Sequence, residues 1–153
     1  MISARARPWM ILAGLALGVT VTNGFARFAY GLILPAMKSE LHWTYAQSGW
    51  LNTANAMGYI IGAIVTMVLI GRRSPTLLFA FGLITTTIAL LATGLNAALW
   101  WQTLWRFLAG LFGAMSFSTA GALAAGLFKD SPRQNTLAIG ILFGTGGGVG
   151  IVL

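Results

Sequence analysis

Five long apolar stretches, separated by short polar connections, dominate the pattern of this sequence. The first four are long enough to cross a bilayer, which takes about 20 mainly apolar residues. The fifth is still apolar where the sequence ends at Leu153. The pattern therefore predicts an all-α, polytopic membrane helix bundle. We interpret residues 1–153 as one partial amino-terminal transmembrane lobe, with spans at about 9–35, 46–70, 76–95, 99–128 and, incomplete, 136–153.

A cleaved signal peptide is the alternative for the first stretch. It is disfavoured, because the apolar pattern continues past Arg27 to Leu34 and no small-residue cleavage site stands clear of it.

Composition supports the bilayer as the solvent. Hydrophobic residues make up 58% of the chain, charged residues only 7%, and the mean hydropathy is +0.84. Ordinary soluble domains carry about 25% charged residues. The formal net charge of +7 could indicate a polyanionic partner, but most cations stand in short clusters between the apolar stretches. We therefore expect a lipid bilayer, and no nucleic acid, as the partner of this surface.

Residues for catalysis or metal binding are scarce. The chain has no cysteine and one histidine, His42, in a polar connection. Its two acidic residues, Glu40 and Asp130, also lie in connections. The spans contain no paired acids, no nucleophile–base set and no metal cluster, so we expect no enzymatic activity, no metal and no cofactor. A proton relay would need an embedded acid or histidine, which the predicted spans lack.

The distribution of cations predicts the orientation. Six cations fall on one side of the predicted membrane, whereas Lys38, balanced by Glu40, is the cation of the opposite connections. Because cytoplasmic loops are enriched in lysine and arginine, we expect a multi-pass protein of the bacterial inner membrane with a cytoplasmic amino terminus. The six are Arg5, Arg7, Arg72, Arg73, Lys129 and Arg133. An aromatic belt at the opposite interface fits this topology: Trp43, Tyr45, Trp50, Trp100, Trp101 and Trp105.

Polar side chains inside the first, second and fourth spans form the candidate substrate site. Polar groups at membrane depth are costly and usually face a bundle interior or a water-filled cavity. At about 1.5 Å per residue, Arg27, Asn55 and Arg106 lie at one level, roughly 10 to 14 Å below the outer surface. In the first span, steps of four and three place the polar residues on one helix face. The candidate residues are Asn23, Arg27, Tyr30, Asn52, Asn55, Tyr59 and Arg106.

Other interpretations of these residues remain open. The arginines can snorkel outward or bond backbone carbonyls, and the asparagines can form hydrogen bonds between helices. Two arginines without an embedded acid leave positive charge to be neutralised by backbone carbonyls, water, a carboxylate of a second lobe, or an anionic substrate. We expect Arg27 to be the main substrate-facing residue.

Glycines recur at helical spacing within the spans. Small residues four apart allow helices to approach closely in lipid. The run in the fifth span lacks the Lys-Ser or Lys-Thr pair of a phosphate loop, which favours packing. The predicted packing positions are Gly58, Gly62, Gly110, Gly113, Gly144 and Gly148.

Two segments carry a family resemblance. RFAYGLILPAM at 27–37 and GWLNTANAMGY at 49–59 resemble the YbfB-like branch of the major facilitator superfamily. Gly71, Arg72 and Arg73 are similar to the superfamily's cytoplasmic gating loop, although Val68 stands where its acid is expected. The segment 106–114 resembles the arginine–glycine motif of the fourth helix. In the fifth, Thr145 replaces the proline of the antiporter motif.

The resemblance implies secondary active transport of a small solute by rocker-switch alternating access. The chain would then supply about five of twelve helices, with spans one and four lining the cavity, span three facing lipid, and a carboxy-terminal lobe missing. The alternative is a non-transporting membrane module that serves in assembly or anchoring.

Overall fold

The structure, a computed structural model, describes residues 7–152, with side chains for 7–27 and 30–145. Gly148 lies outside the residues whose surroundings are described. Every regular element in this part is helical, and four helices are long and apolar enough to cross a membrane, as predicted. The elements are α1 (Arg7–Val19), a π-helical segment (Thr20–Ala29), α2 (Tyr30–Glu40), α3 (Tyr45–Leu69), α4 (Pro75–Thr93), α5 (Leu99–Leu127) and α6 (Pro132–Val152).

The first three elements form one continuous helix, Arg7–Glu40, that is longer than the expected span. Pro35 lies inside α2 without ending it, and the polar residues that were expected to close the span form its last turn. Thr22 in the π-helical segment donates to the Gly18 carbonyl at 3.1 Å, which satisfies its hydroxyl inside the bundle. The sequence did not predict the π-helical register.

A tight turn joins α2 to α3. His42 has a φ of 52°, in the left-handed region, and its side chain is exposed. A capping box then starts α3. The Gln47 N–H donates to Thr44 Oγ1 at 3.2 Å, and the Thr44 N–H donates to Gln47 Oε1 at 2.9 Å. This arrangement fixes where α3 begins.

Side chains of α5 close the turn that joins it to α4. The Trp101 indole donates to the Ala92 carbonyl at 2.7 Å. The buried Gln102 amide donates to the carbonyls of Thr93 and Asn96 at 2.6 and 2.7 Å. These bonds add donors to carbonyls at the end of α4 and in the turn that follows it.

Helix α5 is central to the bundle and packs closely against α3 and α4. Glycines mark where α3 and α5 touch. A Cβ added at Gly58, Gly62 or Gly110 would overlap a backbone carbonyl of the other helix. A glycine Cα–H can instead point at that carbonyl as a weak hydrogen bond. Because glycine has no side chain, these three positions allow the short distance between α3 and α5.

Helix α4 has a buried and an exposed face. Gly82 and Thr86 are buried on the side of α5. The opposite face is a row of large apolar side chains at steps of three and four: Leu77, Phe81, Ile84, Ile88 and Leu91. Such a row is stable in lipid and unfavourable in water. The family resemblance implied this orientation for the third span.

Helix α6 begins at Pro132, earlier than the expected residue 136, because proline is well suited to a first helical position. It packs against α1 and the π-helical segment. Around Gly144 a Cβ would meet no atom within 4 Å among the described residues. The apolar core that joins α1, α5 and α6 contains Leu12, Leu15, Ala16, Val19, Ala120, Ala124, Phe128, Ala138 and Leu142.

Candidate functional site

The π-helical segment separates the polar residues of the first span. Asn23 and Tyr30 are buried, whereas the Arg27 side chain is exposed. The spacing of four and three residues between Asn23, Arg27 and Tyr30 predicted that they share one helix face. That prediction assumes an α-helix with 3.6 residues per turn. A π-helix has i to i+5 bonds and more residues per turn, so the phase slips between Asn23 and Tyr30. Tyr30 therefore turns away to the Arg106 guanidinium, whereas Asn23 and Arg27 both lie near Tyr59 and differ in exposure.

Arg106 of α5 is enclosed between this segment and α3. Its side chain is only 1% exposed. Nη1 donates to the Ala26 carbonyl at 2.6 Å, and the guanidinium carbon lies 3.5 Å from the centroid of the Tyr30 ring. Nε and Nη2 have no hydrogen-bond partner among the described residues. A carbonyl and an aromatic face thus surround a buried cation.

Asn55 connects α3 to the same place. Its side-chain amide is buried and donates to the Arg106 carbonyl at 2.9 Å. Asn52, one turn earlier, is exposed. The structure therefore brings Asn55, Arg106 and the Ala26–Arg27 backbone together at one level, through bonds between helices.

Arg27 lies on the open side of this cluster. Its guanidinium carbon is 5.0 Å from the centroid of the Tyr59 ring, within the range of a cation–π interaction. Tyr59 packs against Phe117 of α5 with centroids 6.3 Å apart, and Phe117 against Phe143 of α6 at 4.9 Å. We call Tyr59, Phe117 and Phe143 the aromatic row. An exposed cation thus stands at the α3 end of an aromatic surface that spans three helices.

The remaining predicted positions lie elsewhere. Gly71, Arg72 and Arg73 are exposed in the connection after α3, on the order of 18 Å along the helix from Tyr59. Gly113 lies at the crossing of α5 with the π-helical segment, where a Cβ would approach the Thr22 carbonyl at 3.2 Å.

A groove at the surface of the described part lies away from this cluster. An apolar groove of about 570 Å³ lies between α3 and α5, lined by Trp50, Ala54, Met57, Leu99, Trp100, Thr103, Leu104 and Phe107. None of the predicted substrate-binding residues lines it. The candidate site is instead the open surface around Arg27 and the aromatic row.

Three contributors to this region were missed by sequence reasoning. The Ala26 carbonyl is a backbone group, and no residue type predicts its role. Phe117 and Phe143 were interpreted only as parts of apolar spans. The cluster Thr20, Thr22, Asn23 and Gly24 inside an apolar helix was the available signal of irregular backbone, since these residues compete with or loosen a regular helix.

Comparison with known proteins gives one family. A family model described as an uncharacterised MFS-type transporter YbfB matches residues 19–153. No match was found among curated proteins or among solved structures.

Proposed function

Because this chain belongs to the YbfB-like family of major facilitator-type transporters, we propose that it moves a small organic anion across the bacterial inner membrane by alternating access. The substrate is bound between this lobe and a second, carboxy-terminal lobe. Two lobes that rock about a site between them are the general arrangement of such transporters.

The observation that carries the proposal is the difference between the two intramembrane arginines. Arg106 is enclosed and has its nearest acceptor in the Ala26 carbonyl. Arg27 is exposed, and its contact is the face of Tyr59. A guanidinium can bind a carboxylate or phosphate through two parallel hydrogen bonds. Of the two, Arg27 is therefore the group that can meet an anion.

The aromatic row narrows the class of substrate. Tyr59 and Phe117 are half-buried and Phe143 is partly exposed, so their rings offer an apolar surface beside the cation. Such a surface favours an anion with an apolar or aromatic body over a sugar phosphate, whose hydroxyls would lose water without finding partners. We propose a small carboxylate of this kind as the substrate, with Arg27 as its anchor.

The proposed function is tested by flux measurements in proteoliposomes. The chain is reconstituted alone and together with its second lobe, and uptake of labelled aromatic monocarboxylates, dicarboxylates and sugar phosphates is compared with empty liposomes. We expect flux of the monocarboxylates from the two-lobed protein and none from this lobe alone. Flux through the isolated lobe would contradict alternating access, and flux confined to the sugar phosphates would contradict the substrate class.

Topology gives a second test. The exposed loop residues Arg72, Arg73, Lys129 and Arg133 belong to the cytoplasmic side in this proposal. Fusions at Arg73 or Ser131 should show no alkaline phosphatase activity, and a fusion at His42 should be active, because the enzyme folds only in the periplasm. Activity at Arg73 together with inactivity at His42 would reverse the proposed orientation.

A further inference from the structure

Where a π-helix passes into an α-helix, the change of register skips one backbone carbonyl, which is left without a helical donor. In a π-helix the N–H of residue i bonds the carbonyl of i−5, and in an α-helix that of i−4. The π-helical segment ends at Ala29. If the Tyr30 N–H makes the last π-helical bond, its acceptor is the Phe25 carbonyl. If the Gly31 N–H makes the first α-helical bond, its acceptor is the Arg27 carbonyl. The carbonyl between them, that of Ala26, is skipped.

The side chain of Arg106 meets this same carbonyl. Its Nη1 donates to Ala26 O at 2.6 Å, across 80 residues of sequence. Ala26 is 1% exposed, so the carbonyl lies where an unpaired acceptor would be costly. The carbonyl that the register change is expected to skip is thus the one to which the buried cation donates.

Two further contacts hold the guanidinium in place. The Tyr30 ring, in the first turn of α2, packs against its plane at 3.5 Å. The Asn55 amide fixes the backbone of Arg106 itself, at 2.9 Å. Arg106 thus contacts both sides of the register change, the last π-helical turn through Ala26 and the first α-helical turn through Tyr30.

We propose that Arg106 is a positioning residue that holds the first span in its π-helical register. When Arg106 is absent, the skipped carbonyl of Ala26 recovers a backbone donor only if the segment rewinds into an α-helix. Rewinding turns α2 relative to α1 and moves Arg27, the residue after Ala26, off the Tyr59 ring. The consequence for transport rests on the proposed function; the control of the register does not.

Distances between spin labels test the proposal directly. The chain has no cysteine, so labels at Met10→Cys and Leu32→Cys, both at exposed positions of the first span, report on its length without background. A π-helix is wider and shorter than an α-helix of equal length, so Arg106→Met should lengthen this distance by about 3 Å. A matched pair at Leu77→Cys and Leu91→Cys, exposed on α4, should not change.

Conservative variants keep the test decisive if Arg106→Met folds poorly. Arg106→Lys keeps a donor for Ala26 and should retain the parent distance. Tyr30→Leu removes the stacked ring and should lengthen the distance, whereas Tyr30→Phe, which removes a hydroxyl without a partner among the described residues, should not. An unchanged Met10–Leu32 distance in folded Arg106→Met, or in Tyr30→Leu when the former does not fold, overturns the proposal. Parent-like transport by Arg106→Met with the distances as expected would count against the proposed function alone.

Discussion

Replacing Arg27 with lysine should reduce transport at least about 30-fold while the protein stays folded and inserted. Loss of one partner from a desolvated, hydrogen-bonded charge pair costs about 2–5 kcal/mol, and each 1.4 kcal/mol is a factor of ten. Lysine keeps the charge but cannot form the two parallel hydrogen bonds of a guanidinium, and it does not stack on Tyr59 as a plane. The measurement is initial-rate flux of the two-lobed protein, with thermal stability measured on the same preparation.

Arg133→Lys is the control for this experiment, because Arg133 is an exposed arginine at the start of α6, away from the aromatic row. It should transport normally. A well-folded Arg27→Lys variant with parent-like flux would refute the role of Arg27. Reduced thermal stability of Arg27→Lys with an unchanged apparent affinity for the substrate would show that Arg27 has a structural role.

Replacing Gly62 with alanine should destabilise the bundle strongly. The added Cβ would overlap the Leu111 carbonyl oxygen, a backbone atom that no rotamer change can move. Ordinary contacts between such atoms are longer than 3 Å, so α3 and α5 would have to separate by about 1 Å. Overpacking of this kind costs about 1–3 kcal/mol or more, which exceeds the gain of about 1 kcal/mol from replacing glycine in a helix.

Gly49→Ala provides the matched control in the same helix. Gly49 is exposed, and a Cβ there would meet no atom within 4 Å. This change should therefore be neutral or stabilising. Thermal unfolding in detergent, monitored by circular dichroism, compares the two variants. Equal midpoints for Gly62→Ala and Gly49→Ala would show that α3 and α5 do not pack at Gly62 in the way described.

The helical spans were predictable because the bilayer imposes a length and a composition that appear directly in the sequence. Gly58 and Gly62 were identifiable as close-packing positions for a related reason, since few other roles suit small residues four apart in a span. The register of the first span was not predictable. It depends on an acceptor at Ala26 that is satisfied by Arg106, 80 residues away in the sequence. The residue composition around the segment indicates neither the Ala26 acceptor nor its Arg106 donor.

The different environments of Arg27 and Arg106 were hidden for the same reason. Helical periodicity assigned Arg27 to the face of Asn23 and Tyr30, and it could do so only by assuming 3.6 residues per turn throughout. Arg27 lies inside the π-helical segment, where this assumption fails, so its exposure must be read from the structure. Of the two asparagines of the second span that were expected in the site, Asn55 has a partner on α5 and Asn52 is exposed, a difference that spacing alone did not show.

The bonds of Trp101 and Gln102 have a consequence for biosynthesis. All of their acceptors lie within ten residues in sequence, on the end of α4 and in the turn that follows it. Contacts so local can form as soon as the first turns of α5 leave the ribosome, before the rest of that helix exists. The end of α4 then has its carbonyls satisfied early, before the rest of α5 has been made. Helices α4 and α5 can therefore enter the bilayer as a preformed hairpin, on which α3 docks through its glycines.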